Sequence, residues 1–267
     1  VTTQHAAIEG IGLWTPRMPG WGAARAVLRG EAQPAPVPAQ RPAPALLPAN
    51  ERRRAPDTVA VSLEAASAAC ADAGRDPATL PSVFASTFGD QPITDYMCAT
   101  LADDASLLSP TRFHNSVHNA AAGYWSIATG CLAPYTALSA GEFTFAAGLL
   151  EALVQCACDG AAVLFVAYDV ASRGPLEQVT PSGGMLSAAL VLGPAGSTTR
   201  RAKLGWRVLD GTDPAPADAH HAILADGNAM SGCLALFEAL AAGAPGGARL
   251  PLGPCSVLEL QVEMERR

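Results

Sequence analysis

The stretch from Tyr135 to Tyr168 constrains the fold more than any other. Tyr135 to Leu138 is a short run of strand character, and Ser139-Ala140-Gly141-Glu142 reads as a tight turn. Phe143 to Cys156 is apolar at helical spacing, Asp159-Gly160 breaks it, and Ala161 to Tyr168 is β-rich and again apolar. A strand, a helix and a second strand, with both strands apolar, predict a buried parallel crossover, because parallel strands are covered on both faces and need a helix between them. A strand that ends abruptly in a buried helix also sets its turn residues at the helix's positive end, where free N–H groups stabilise an anion or a thiolate. Residues 139–142 therefore decide whether the chain carries a nucleophile there.

They do not supply one readily. Gly141 has no side chain, and Ser139 and Glu142 fit the S-x-x-E capping box, in which each side chain satisfies a backbone N–H of the other. The Glu142 carboxylate would fill the positive end of the helix and disfavour a thiolate beside it. The turn reads as one built for stability.

The flanking sequence supplies the rest of an α/β layer. Ala6 to Leu13 reads as a buried strand. Pro34, Pro36, Pro38, Pro42, Pro44 and Pro48 exclude regular structure over residues 31–50, which we read as a surface loop. Asp57 is placed to cap a helix over 58–73 that Gly74 stops, with Val59, Leu63, Ala66, Cys70 and Ala73 on its apolar face. Val83 to Thr87 is a short strand, and two helices are expected within 93–125. Met185 to Leu192 and Lys203 to Leu209 follow as strands, and Ala229 to Ala241 as a helix. Val257 to Met264 alternates as a half-exposed strand. No internal repeat is legible. With 267 residues, half of them hydrophobic and 15% charged, one α/β domain over 1–267 is expected.

A net charge of −7 argues against nucleic acid, which needs basic surface to replace counterions. Two local basic runs, Arg52-Arg53-Arg54 and Arg200-Arg201 with Lys203, read as solvated faces or as a docking patch for an acidic partner. Seven cysteines, an odd number with mostly apolar neighbours, read as reduced buried thiols of a cytoplasmic protein. Cys156 and Cys158 have no partner pair at zinc spacing, so neither a metal nor another cofactor is expected. No signal peptide or membrane span is legible.

The segment His118-Asn119-Ala120-Ala121-Ala122-Gly123-Tyr124-Trp125-Ser126-Ile127-Ala128-Thr129-Gly130 resembles the one that precedes the nucleophile elbow of the β-ketoacyl synthases. Ala133 to Gly141 resembles the elbow itself, with Gly141 where an active synthase has its cysteine. Ile8 to Pro16 is similar to the family's first strand and Ala188 to Leu192 to a later core strand. Gly227-Asn228-Ala229-Met230-Ser231-Gly232-Cys233 is similar to a motif that carries a catalytic histidine, here Asn228. The chain is much shorter than a full ketosynthase, and the segment with the second histidine is missing from the resemblance. The wording from His114 to Glu142 is similar to short chain-length-factor-like homologues associated with aryl polyene-type pigments.

The resemblance implies a shortened thiolase-like layered fold, with helices packed on mixed sheets. It implies a non-catalytic subunit that pairs as a heterodimer with an active synthase, meets acyl carrier protein through that complex, and helps shape the acyl tunnel. Tyr135, Thr136 and Leu138 would lie at the centre of the contact, with Phe113, Asn115, His118 and Asn119 around them. His114 and His118 would serve that contact and not catalysis, while His220 and His221, after Asp218, read as surface residues of a polar loop.

Two other chemistries compete. Ala137-Leu138-Ser139-Ala140-Gly141 is one residue from the G-x-S-x-G elbow of serine hydrolases, with Asp169 and His220 or His221 following in the right order. A displaced thiol is the other: Cys233 falls early in an expected helix, and Cys131 lies in a loop. Packing is the simpler role for both cysteines.

Overall fold

The computed structural model describes residues 2–211 and 219–264. Its strands are β1 (Gln4–Thr15), β2 (Met18–Pro19), β3 (Ser82–Ala85), β4 (Tyr135–Leu138), β5 (Val163–Val170), β6 (Met185–Pro194), β7 (Ala202–Asp210), β8 (Gly246–Gly253) and β9 (Ser256–Met264). Its helices are α1 (Trp21–Leu28), α2 (Ala49–Arg54), α3 (Asp57–Ala73), α4 (Gln91–Asp103), α5 (Pro110–Asn115), α6 (Ala120–Thr129), α7 (Thr144–Asp159), α8 (Leu176–Val179), α9 (Ala219–Leu224) and α10 (Leu234–Ala242). The strands form one mixed sheet in the order β4-β3-β5-β6-β1-β7-β9-β8, with β2 added to β1.

β3 pairs in parallel with both β4 and β5, so β4 and β5 are the parallel strands that the sequence predicts, with β3 inserted between them. β5 is buried along its whole length, but β4 is only half-buried. The expectation of two buried strands fails at β4 because it is an edge. It pairs with β3 on one side and with nothing among the described residues on the other.

Two apolar clusters lie against the two faces of the sheet. α3 and α6 cover one, packing Leu63, Ala66 and Trp125 on Phe84, Leu164 and Val191. α1, α7 and α10 cover the other, packing Leu149, Leu153 and Phe237 on Phe165, Leu190 and Leu260. β1 lets α3 approach closely because it has glycines where the helix crosses. A Cβ on Gly10 would lie 2.1 Å from the Ala69 carbonyl oxygen, and one on Gly12 would lie 2.1 Å from that of Ala65. α3 is almost wholly buried as a result, and Gly74 in the left-handed conformation ends it.

A repeat hidden in the sequence is plain in the topology. A 3-10 turn at Gly141–Phe143 leads into α7 and then the antiparallel pair β5-β6, whose second strand pairs antiparallel with β1. A 3-10 turn at Ser231–Cys233 leads into α10 and then the antiparallel pair β8-β9, whose second strand pairs antiparallel with β7. The second copy is reduced. Between β1 and the first turn lie β2, β3, β4 and six α-helices, whereas among the described residues only α9 lies between β7 and the second turn.

Four local expectations are corrected. Residues 91–129 hold three main helices where two were expected. Asp90 caps α4 by accepting from the Ile93 N–H at 2.9 Å, and Ser109 followed by Pro110 starts a separate α5. Asp57 does not cap α3, since the helix begins one residue earlier than expected. Its carboxylate lies 3.1 Å from Arg41 Nε instead. α1 and β8 have no counterpart in the sequence reading.

Candidate functional site

The site is built at the carboxyl ends of the parallel strands β3, β4 and β5. β4 runs into Ser139, and the chain turns through Gly141 at φ 58 before entering α7. The capping box expected of Ser139 and Glu142 is absent. Ser139 Oγ donates to the Thr87 carbonyl at 2.9 Å, and Glu142 is exposed. Thr144 stabilises the turn instead: its Oγ1 accepts from the Ala140 N–H at 2.9 Å and donates to the Gly141 carbonyl at 2.6 Å. A hydroxyl at the first residue of α7 reaches both backbone groups at once, which the Ser139 side chain, already drawn to the loop after β3, cannot.

Asp169 sits near the end of β5, inside the protein. Its Oδ1 accepts from Ser86 Oγ at 2.7 Å and from the Phe88 N–H at 3.3 Å, and its Oδ2 accepts from the Thr87 N–H at 3.0 Å. Burial pushes its carboxyl above the usual carboxylate range, against the opposing effect of those donors. Burial, with Asp169 beside it, likewise raises the neighbouring Tyr168 phenol. Asn228 closes the arrangement. Its Nδ2 donates to the carbonyls of Asp169 at 3.0 Å and Gly183 at 2.8 Å, and its Oδ1 accepts from the Met230 N–H at 3.0 Å.

Hydrogen bonds thus run from Ser139 through Thr87 and Asp169 to Asn228, joining two of the positions that the sequence singled out. The sequence reading missed Ser86, Thr87 and Thr144 and took Asp169 only as a possible triad member. The available signal was an aspartate inside an otherwise apolar strand, a residue that must find several donors to be buried there. Chemically the arrangement is a braced frame. Gly141 offers no nucleophile, and the Asn228 amide does not ionise at ordinary pH, so it cannot act as a general acid or base.

The hydrolase arrangement is not assembled. Asp169 serves Ser86 and the backbone, and Ser139 bonds to a carbonyl. His221, expected on the surface, is buried, with Nε2 3.0 Å from Glu238 Oε2. It lies in α9, whose apolar face turns it inward. His220 is exposed, and Asp218 lies outside the described residues.

The thiols are not activated either. Cys233 is buried and its thiol is pushed strongly upward by that burial. Burial holds Cys156 at about 11, and burial, with Asp76 nearby, holds Cys70 at about 12. Cys131 is buried with Sγ 3.4 Å from the Leu80 carbonyl oxygen. Among the described residues no group of His, Cys, Asp or Glu is arranged to hold a metal ion.

The residues expected at a contact have the following places. Asn119 Nδ2 donates to the Tyr135 hydroxyl at 3.0 Å, and Thr136 Oγ1 accepts from Gln155 Nε2 at 3.1 Å. Leu138 packs partly into the core. His118 Nε2 lies 2.9 Å from the Ser86 carbonyl oxygen, so this side chain braces the frame from the α6 side. Asn115 is buried, with Oδ1 accepting from the Tyr124 hydroxyl at 3.2 Å. Phe113, Val117, Ile127, Leu132 and Tyr135 are exposed. Of the basic runs, 52–54 lies on the exposed α2. Arg201 and Lys203 are engaged within the chain, by Asp72 at 2.7 Å and Glu263 at 3.8 Å. No helix among the described residues is long and apolar enough to cross a membrane.

A family model described as the β-ketoacyl synthase N-terminal domain matches residues 27–241. No curated protein matches the chain. Among solved structures, a ketosynthase (ApeO) in complex with its chain length factor (ApeC) from Xenorhabdus doucetiae is similar, at 20% identity and TM-score 0.72, over 96% of this chain and 98% of that one. The ishigamide ketosynthase/chain length factor is similar at 15% identity and TM-score 0.75, over 98% and 100%. A type II polyketide synthase complex of a ketosynthase with its acyl carrier protein (AntDE:AntF) is similar at 13% identity and TM-score 0.75, over 99% and 100%. The similarity places the mixed sheet and its packed helices in the thiolase-like ketosynthase fold.

Proposed function

Because this chain belongs to the β-ketoacyl synthase family, we propose that it is a chain-length-factor-like subunit, one that pairs with an active synthase and leaves the condensation chemistry to it. The observation that carries this reading is the juxtaposition at β4. The strand has an unpaired edge, begins at the exposed Tyr135 three residues after the exposed Leu132, and leads into an elbow whose nucleophile position is Gly141. An unpaired strand beside exposed apolar side chains invites pairing with a second chain. An elbow with no thiol, linked to an Asn228 already bonded to backbone, has nothing to acylate.

In this reading Tyr135, Thr136 and Leu138 meet the partner, with Phe113, His118 and Asn119 nearby and Asn115 supporting them from within. Two similar halves, one active and one degenerate, give a heterodimer with pseudo-two-fold symmetry. Acyl carrier protein is met through that complex, and this chain helps set the room available to the growing acyl chain. The whole chain, 1–267, acts as one synthase-like domain. The reduced second half of the internal repeat fits a subunit relieved of catalysis. The ketosynthase–chain length factor complexes among structures of this fold support the pairing. The resemblance of residues 114–142 favours an aryl polyene-type product, and the free cysteines favour a reducing, cytoplasmic setting.

Co-expression with candidate synthases followed by size exclusion tests the proposal. A one-to-one complex that condenses malonyl and acyl carrier-protein thioesters is the expected result, with the isolated chain inert. Turnover by the isolated chain alone refutes it.

A further inference from the structure

A second site lies far from β4, where the sheet splits. β1 pairs with β7 only over Gln4–Ile8, then continues with β6 alone, through a register shift between Ile8 and Gly10. β7 begins at Ala202 opposite Ile8, so just beyond that point no strand covers this side of β1, and a cleft of about 600 Å³ opens between β1, α1, the end of α3 and the end of α10. Its apolar lining includes Ile11, Trp21 and Leu240. Its polar lining includes Arg25, Asp72 and Arg201.

The charges are not balanced. Asp72 is fully used: Oδ2 accepts from the Ile11 N–H at 3.1 Å, and Oδ1 accepts from Arg201 Nη2 at 2.7 Å. Arg201 spends only Nη2 on Asp72, so Nε and Nη1 have no protein partner among the described residues. Arg25, on the last turn of α1, is exposed and has none at all among them. Arg25 and Arg201 therefore bring uncommitted guanidinium N–H groups to a cleft that Arg200 also lines, with an apolar floor and a single carboxylate, already neutralised. Guanidinium forks pair well with carboxylates, because two parallel N–H donors match the two carboxylate oxygens.

We infer that this cleft binds an amphipathic monocarboxylate of the fatty-acid class, its carboxylate at Arg25 and Arg201 and its chain along Trp21 and Leu240. The inference is independent of the subunit role, because none of these residues lies near β4 or the elbow.

The test uses the whole chain and a built-in reporter. Trp14, Trp125 and Trp206 are buried, so Trp21 is the partly exposed tryptophan among the four. Titration with octanoate should change its fluorescence saturably, with the same affinity by calorimetry. Octanamide, equal in shape but uncharged, should bind about tenfold more weakly, a difference of about 1.4 kcal/mol. Arg25→Gln should weaken octanoate by a similar factor, and Arg25→Lys should recover part of the loss. Arg25 is exposed, so both variants should keep the wild-type circular dichroism spectrum. Trp21→Phe should abolish the optical signal. An absence of saturable binding, equal affinity for octanoate and octanamide, unchanged affinity in Arg25→Gln, or a full optical signal in Trp21→Phe would each overturn the inference.

Discussion

The side-chain amide of Asn228 lies 3.0 Å from the carbonyl oxygen of Asp169 and ties the loop before α10 to the end of β5. The same amide also serves Gly183, and its oxygen serves Met230, so one buried side chain satisfies three backbone groups. Asn228→Ala should leave two carbonyls and one N–H without partners. A loss of about 2–3 kcal/mol is expected from the penalty for unsatisfied buried groups. Urea unfolding measures it, and an unchanged midpoint would mean that water replaces the amide.

Installing a thiol at the elbow should not create a synthase. Gly141 has φ 58 and open space where a Cβ would go, so Gly141→Cys should fold at a cost of about 1 kcal/mol for the left-handed backbone. The thiol would have no histidine partner, because Asn228 is held by backbone. Mass spectrometry after incubation with an acyl thioester should show no rapid acylation of residue 141.

Charge at the free edge should block pairing. Thr136 accepts from Gln155, which also donates to Glu151 at 2.8 Å. Thr136→Asp would add a second carboxylate beside that one and desolvate it on association. The variant should fail to elute with a synthase partner on size exclusion and should be poorly soluble. Gln40→Asp, in the exposed Pro-rich loop, should do neither. An intact Thr136→Asp complex at wild-type yield moves the contact elsewhere.

The ion pair at Glu9 gives a pH dependence with a definite sign. Burial raises the Glu9 carboxyl, but the hydrogen bonds from Arg75 and Ser197 and the Arg75 charge outweigh it and hold its pKa below the usual range. The folded state therefore binds this proton less tightly than the unfolded chain. The stabilisation is complete above the ordinary glutamate value of about 4.3 and is lost as pH falls through the lowered one. Glu9→Gln, which strips Arg75 of its partner, should cost about 2 kcal/mol at neutral pH. The gap to wild type should shrink on acidification, as read by urea midpoints at several pH values.

Tight packing of α3 on β1 makes its own prediction. Gly12→Ala would press a methyl to 2.1 Å from the Ala65 carbonyl oxygen, a backbone atom that cannot swing aside. A loss of at least about 2 kcal/mol is expected, visible as a lowered melting temperature. An unaffected melting temperature would mean that the helix shifts freely.

The sequence was most legible where burial on both faces leaves an unbroken apolar run. β5 and β6 follow from the runs Ala161 to Tyr168 and Met185 to Leu192 for that reason, and α3 and α7 from helical spacing closed by Gly74 and Gly160. β8 was not legible, because Gly246, Gly247, Pro251 and Gly253 give it the composition of a loop, and only pairing with β9 makes it a strand. α1 lacks a side-chain cap and is held by packing of Trp21 on Phe237. At the site, the resemblance located Gly141 and Asn228. The partners of Ser139 were misread because the local S-x-x-E pattern fits a cap equally well on paper. Which of two hydroxyls serves the turn depends on the position of Thr87, a residue of the loop after β3.

The pairing of β1 has a consequence in time. Leu13 is held against Ala188 and Ala7 against Lys203, so apart from its short pairing with β2 this strand has no partner in the sheet until β6 and β7, far along the chain, have followed it out of the ribosome. At about 5–20 residues per second, that wait is roughly ten to forty seconds. Throughout it Ile8, Ile11 and Leu13 lack their neighbours in the sheet, so a strand made early is enclosed late.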